Sequence, residues 1–314
     1  MATNQGAIST IPVEVFATYI VEKLRRQNPH LEAAVDESSF VLAGSVVHIP
    51  QAGNSPEVVK NRKSFPATAV QRGDSFVTYP LDVFSTTPTH ITWHEENEIS
   101  YDKTDSVMGD HVATLVEAVG DHMTHAWASG LGDVKTGGNF ILTTGDATAV
   151  ADLTGTRKAL TYRELQAAQA MMNKAGVPKE ERYAMLESYM YQQFLDSLSA
   201  NQMAAFQGSA DLAKGVVGEF AGFKILERST VLAYTTAGKL KAVGEALTGT
   251  DCLASLCWQK QSVAKAIGDT KSFHETNSPT YYGDIFSALV KSGGRCRRGD
   301  SAGVVVIEQV QTEG

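Results

Sequence analysis

Apolar positions recur along the chain with two different periods, and the changes of period mark its parts. Over residues 12–24, Val13, Phe16, Ile20 and Leu24 fall three and four apart, which predicts a short amphipathic helix at the head of an N-terminal arm. From Val46 the period drops to two. Val47 and Ile49 alternate with polar neighbours, a polar excursion runs over residues 51–74, and Val77, Tyr79, Leu81 and Val83 then resume the alternation. Two strands therefore flank a long projection, and a structureless stretch of this length inside a compact unit is expected only where it works as an extended arm. Ile91, Trp93, Ile99 and Tyr101 continue as a strand with one wet end.

The helical period returns over residues 105–129, where Met108, Val112, Leu115, Val116, Val119, Met123 and Trp127 line one face and Gly130 and Gly132 supply the stop. Such a run makes a rod of about 37 Å, and Asp102, Asp105 and Asp110 sit near its N-terminus, where the helix dipole favours acids. The second half mixes periods. Helices are predicted over 161–175 and 189–198, strands over 183–186, 216–231 and 252–258, a helical piece over 262–267, and a last strand over 304–307. That last strand is apolar on both faces and so belongs inside a sheet.

Composition narrows the class. The 314 residues are 43% apolar, enough for a sizeable core in about two domains. With 27 Lys+Arg against 35 Asp+Glu the net charge is −8, which argues against a protein that coats nucleic-acid phosphates. Cys252, Cys257 and Cys296 are an odd number in a long chain, pointing to a reducing compartment instead of a disulfide framework. The first ten residues lack the pattern of a secretion signal, and no aliphatic run approaches the ~18 residues of a membrane span, so a soluble, unsecreted chain is expected.

Catalytic motifs are weak. Residues 132–137 have the interval of a phosphate-binding loop, but Gly138 and Asn139 stand where Lys and Ser/Thr are needed, so a turn is the better reading. His122 and His125 share a helix face and, with His111, Asp110 and Asp121, are the only candidates for a metal, yet no third ligand has a motif spacing. Cys252 and Cys257 are five apart in a strand, point to opposite faces and read as small buried hydrophobes. No nucleophile elbow is present. Arg298-Gly299-Asp300 reads as a turn feeding the last strand. Charge is more informative. The projecting loop carries Lys60, Arg62, Lys63 and Arg72, while Glu95, Glu96, Glu98, Asp102, Asp105, Asp110, Glu117 and Asp121 face only Lys103 between residues 94 and 121. A basic arm and an acidic helix in one chain suggest that copies bind each other.

The order of elements, together with Arg72-Gly73-Asp74 before the 76–84 strand, the Met108 to Trp127 helix, Val177-Pro178-Lys179-Glu180-Glu181-Arg182-Tyr183, Gly218-Glu219-Phe220-Ala221-Gly222-Phe223 and Tyr282-Gly283-Asp284-Ile285-Phe286, resembles the major capsid proteins of tailed bacteriophages, the Hong Kong 97 fold family shared with encapsulins. The resemblance implies an α+β fold with an N-terminal arm (1–40), an extension loop (41–84), a peripheral domain with a long spine helix (85–150), an axial α/β domain (151–290) and a closing strand (291–314). It further implies a structural protein without cofactor or active site, which assembles with itself as pentamers and hexamers of an icosahedral shell around double-stranded DNA. Portal, scaffolding and decoration proteins are the other expected partners, DNA contact is weak and non-specific, no membrane is involved, and the virion capsid is built in the host bacterial cytoplasm. On this reading Lys60, Arg62, Lys63, Arg72, Glu95, Glu96, Glu98, Asp110 and Glu117 are the inter-subunit contact candidates. The rival expectations are an encapsulin-like shell for a protein cargo and, in a different class, a metal-dependent α/β hydrolase using His122, His125 and an Asp.

Overall fold

Two sheets and one long helix organise the chain. The computed structural model describes residues 20, 28–41, 46–51, 53, 57–63, 66, 69, 71, 73, 75–92, 103–135, 137–150, 153–211 and 214–312. In chain order the elements are β1 (Val35–Asp36), β2 (Val46–Gln51), β3 (Ser75–Pro80), β4 (Asp82–Ser85), β5 (Thr89–Thr92), α1 (Lys103–Ala128), β6 (Phe140–Leu142), β7 (Ala147–Ala149), β8 (Thr156–Lys158), α2 (Tyr162–Lys174), β9 (Arg182–Glu187), α3 (Ser188–Ser197), α4 (Ala200–Gly208), β10 (Gly218–Phe220), β11 (Phe223–Arg228), β12 (Leu232–Tyr234), β13 (Cys252–Gln259), β14 (Val263–Ser278), β15 (Gly283–Cys296) and β16 (Val304–Glu308). One sheet has the order β1-β14-β15-β4, with β5 also on β15. The central sheet has the order β10-β11-β9-β13-β16-β6, with β12 also on β13; β2–β3 and β7–β8 are separate hairpins.

Helix α1 forms where the seven apolar positions predicted it, and its buried stripe of Val112, Leu115, Val116 and Val119 packs on Ala288 and Val290 of β15 together with Ile20. Ile20 is the one described residue of the predicted 12–24 helix. A turn of 3₁₀ helix, Ser129–Leu131, prolongs α1 until Gly132, whose φ of +79° ends it. Trp93, Ile99 and Tyr101 lie outside the described residues, and β5 covers only Thr89–Thr92 of that predicted strand.

Residues 262–267 are not helical. A short 3₁₀ turn, Lys260–Ser262, leads into β14, a strand of 16 residues whose partner β15 has 14. The apolar pattern Val263, Ala264, Ala266 suits either state locally; pairing with β1 on one side and β15 on the other buries all three and decides for strand. The outer half of β14 is largely exposed, so it lacks the alternation by which a strand is recognised in sequence. Helix α4 was also unforeseen; Ser199 and Gln202 form the capping box that starts it. The predicted strand over 216–231 is a hairpin of β10 and β11, turning at Ala221 and Gly222, both with positive φ.

Two tryptophans join the sheets. Trp127 of α1 donates its indole N–H to the Ala264 carbonyl of β14 at 2.9 Å, Trp258 of β13 donates to the Ala33 carbonyl at 2.8 Å, and the rings lie 5.3 Å apart. Both are fully buried in the larger core cluster, which also takes in Leu31, Met123, Leu256 and Val306. Burying side chains of this kind contributes roughly 1.5–3 kcal/mol each. A second core, with Leu165, Phe194, Phe206, Phe223 and Ile307, fills the other face of the central sheet against α2, α3 and α4. Thus β16 is apolar on both faces and lies between β13 and β6, as its sequence required.

Candidate inter-subunit surfaces

The projecting arm is anchored at its root. Strands β2 and β3 pair from Val46↔Pro80 to Gln51↔Ser75, and Val47, Tyr79 and Leu81 pack on Ala264 and Ala266 of β14. Buried Glu37 accepts a hydrogen bond from the Tyr79 hydroxyl at 3.2 Å and an ion-paired one from Arg297 Nε at 2.9 Å, while Arg295 donates to the Thr78 carbonyl at 3.0 Å. Gly293 leaves room for this seat, since a Cβ there would meet the Pro80 carbonyl oxygen at 2.7 Å. Further out, the described residues of the arm are almost all exposed. Lys60, Arg62 and Lys63 are exposed, and Val58 is 93% exposed. Arg72 lies outside the described residues.

Asp110 and Glu117, two turns apart on α1, present an acidic ridge to solvent. The next acid along, Asp121, is already engaged: Arg228 Nε and Nη2 approach its Oδ1 at 2.9 and 2.7 Å. Arg228 also donates to Asn28 Oδ1 at 2.8 Å, and Asn28 donates to the Val116 carbonyl at 2.8 Å, so the N-terminal segment is strapped across the helix at Gly120. Glu95, Glu96 and Glu98 lie outside the described residues. Among the described residues no ion pair joins Lys60, Arg62 or Lys63 to Asp110 or Glu117. Beside the ridge, between β4, β5 and α1, opens a groove of about 600 Å³ floored by Phe84, Val107 and Leu115 and rimmed by Thr86 and Asp110. His111 is buried at its edge with Nε2 unpartnered; burial lowers its pKa, partly offset by Asp110.

The alternative chemistries find no assembled site. Among the described residues no three His, Cys, Asp or Glu side chains are placed to hold a metal. His122 packs edge-on against Phe84, and His125 Nε2 hydrogen-bonds the Lys241 carbonyl at 3.0 Å instead of turning to His122. The cysteines are free and buried, and burial pushes the Cys257 thiol up to about 12, far from a nucleophile's range. Within the 132–137 stretch, Val134 and Lys135 form a turn docked by Val134 N–H on the Gly238 carbonyl at 3.0 Å. Arg298 and Asp300 pair with each other at 2.7 Å in the turn before β16. Sequence reasoning missed Asn28, His30, Glu37 and Arg228, which hold the N-terminal segment and arm root. Their partners are up to 260 residues away, so no local motif announces them.

A family model described as phage capsid protein matches residues 98–310. The chain belongs to that family. Its arm, ridge and groove are thus surfaces of a shell-forming structural protein, and its fold is of the Hong Kong 97 type. No curated protein sequence matches the chain. Among solved structures, the capsid of the cyanophage P-SCSP1u superposes with a TM-score of 0.61 at 17% identity, over 88% of this chain and 85% of that one. The capsid of Ralstonia phage GP4 gives 0.60 at 13%, over 90% and 88%. The virus-like particle from Pyrococcus furiosus gives 0.52 at 8%, over 94% and 98%. Among the described residues no helix of this capsid protein is long and apolar enough to cross a membrane.

Proposed function

We propose that this capsid protein builds an icosahedral phage head around double-stranded DNA, its copies grouped as pentamers and hexamers, and that neighbours are joined by the basic arm of one on the acidic helix of the next. The observation that carries this reading is the arm itself. It is rooted in the core by Tyr79 and Glu37, yet it holds Lys60, Arg62 and Lys63 in solvent, while Asp110 and Glu117 are exposed on α1 and unpaired with the described residues of their own arm. Arg72 would extend the basic set and Glu95, Glu96 and Glu98 the acidic one. Each exposed pair contributes only ~0.2–1 kcal/mol, but a closed shell repeats it at every subunit.

On this reading α1 and the sheet against it form the peripheral unit and the central sheet with α2 to α4 the axial one, a division that moves residues 263–290 out of the axial domain expected over 151–290 and puts the closing strand β16 in the axial sheet instead of the peripheral domain. The protein works without catalysis or cofactor. Portal, scaffolding and decoration proteins are its further partners in the host bacterial cytoplasm, and net charge of −8 keeps packaged DNA loosely held. The test is charge reversal at Lys60, Arg62 and Lys63, with electron microscopy of assembled products across a salt series and circular dichroism as the folding control. Loss of closed shells from a folded subunit, already partial for wild type at high salt, is expected; normal shells from the reversed protein refute the arm. A protein-cargo shell of the same fold, the encapsulin-like alternative, is told apart by its contents: nuclease-protected DNA in particles from infected cells supports the phage head.

A further inference from the structure

Glu308, at the end of β16, shares a face with Val304 and Val306 and is 6% exposed, and its carboxyl has no hydrogen bond among the described residues. An acid so placed needs either a proton or a counter-charge. Directly across the ladder stand Ala254 of β13 and Leu142 of β6, which supply neither. Two polar side chains face it from β12 and β13, Tyr234 and Cys252, and each feels its charge. The Tyr234 hydroxyl is buried without a partner. Arg157, beyond Cys252, has its guanidinium committed to the carbonyls of Thr154, Gly249 and Asp251. The cation left to answer Glu308 is Lys135, exposed on the loop between α1 and β6, with no ion pair joining the two as they stand.

That loop is the covalent link from the long helix to the central sheet. Among its described residues, Val134 packs on the main core with its N–H on the Gly238 carbonyl at 3.0 Å, the Lys135 stem lies by Gly238, and Asn139 takes the Val306 N–H on its carbonyl and donates its Nδ2 to the Ser301 carbonyl, each at 3.0 Å. We propose that Glu308 and Lys135 form a proton-operated catch which seats the 132–139 loop, and with it the link between α1 and the central sheet. With its proton on, Glu308 is a neutral group able to share a hydrogen bond with the Tyr234 hydroxyl, and Lys135 stays in solvent. With the proton released to solvent, the buried carboxylate draws the Lys135 ammonium over it and pins the loop. Burial raises the Glu308 pKa to about 7, against the pull of Lys135, so the catch works near neutral pH.

Hydrogen exchange read by mass spectrometry on the unassembled full chain between pH 6 and 8, corrected for the intrinsic pH dependence of exchange, tests this directly. Protection of amides 132–139 in the wild type is expected to rise about three- to fivefold across that window, the effect of one ion pair. The rise disappears in Glu308→Gln, which keeps the shape of the neutral acid, and in Lys135→Met, a change at an exposed position that leaves the fold untouched. Unchanged protection of the β13 amides is the folding control. A wild-type loop indifferent to pH, or a rise that survives Lys135→Met, overturns the proposal.

Discussion

Acidification should loosen this subunit at one particular place, the strap of residues 28–31 across α1. His30 is buried beneath the Trp127 ring, 6.0 Å away edge-on, and its Nε2 hydrogen-bonds the Gly120 carbonyl at 3.2 Å, so the ring is held as the neutral donor tautomer. Burial first, and the nearby Arg228 second, lower its pKa from 6.5 to about 3. The folded value lies below the unfolded one, so the unfolded chain binds the extra proton. The stabilising contribution is therefore complete above pH 6.5 and is lost as pH falls toward 3. At about 1.36 kcal/mol per pKa unit, the loss reaches about 2 kcal/mol by pH 5 and about 4 kcal/mol by pH 3. Urea denaturation of unassembled subunits at pH 7 and pH 5, followed by tryptophan fluorescence, measures it. His30→Gln keeps an N–H for the Gly120 carbonyl but cannot titrate, so it should be less stable than wild type at pH 7 and lose about 2 kcal/mol less on going to pH 5. Equal pH dependence in the two proteins refutes the reasoning.

Four further substitutions test the packing around α1 and the strap. Gly120→Ala places a Cβ against Asn28 Oδ1 and 2.8 Å from Arg228 Nη2, and should cost about 1–3 kcal/mol by urea denaturation despite alanine's better helix propensity. Gly109→Ala, on the open side of the same helix, should instead raise stability by up to ~1 kcal/mol and makes the comparison internal. Arg228→Lys cannot reach Asp121 and Asn28 together, so the melting temperature falls and protease cuts earlier near residue 28. Trp258→Phe strips the hydrogen bond from the buried Ala33 carbonyl and should cost about 1–3 kcal/mol in the same assay.

By itself, the sequence determined several elements whose signal is carried within a few residues, although α4 went unread despite its local Ser199 and Gln202 capping box. The seven apolar positions of α1, the doubly apolar β16, the helical period of α2 and the polar gap between β2 and β3 are local patterns, and local sterics and burial read them directly. The charge contrast between Lys60, Arg62, Lys63 and the α1 acids was legible for the same reason, since charge is a property of composition. Tertiary structure alone decided the rest. Val263 to Ile267 is strand because β1 and β15 bracket it, and the outer part of β14 is strand although its side chains meet water on both faces. Glu37, Arg228, His30 and Glu308 acquire their roles from partners or surroundings brought together by folding: a carboxylate reached by a distant arginine, a guanidinium bridging two segments, an imidazole and a carboxyl taken out of water. The free energy of a buried polar group depends on what surrounds it in three dimensions, and no period or spacing along the chain encodes that.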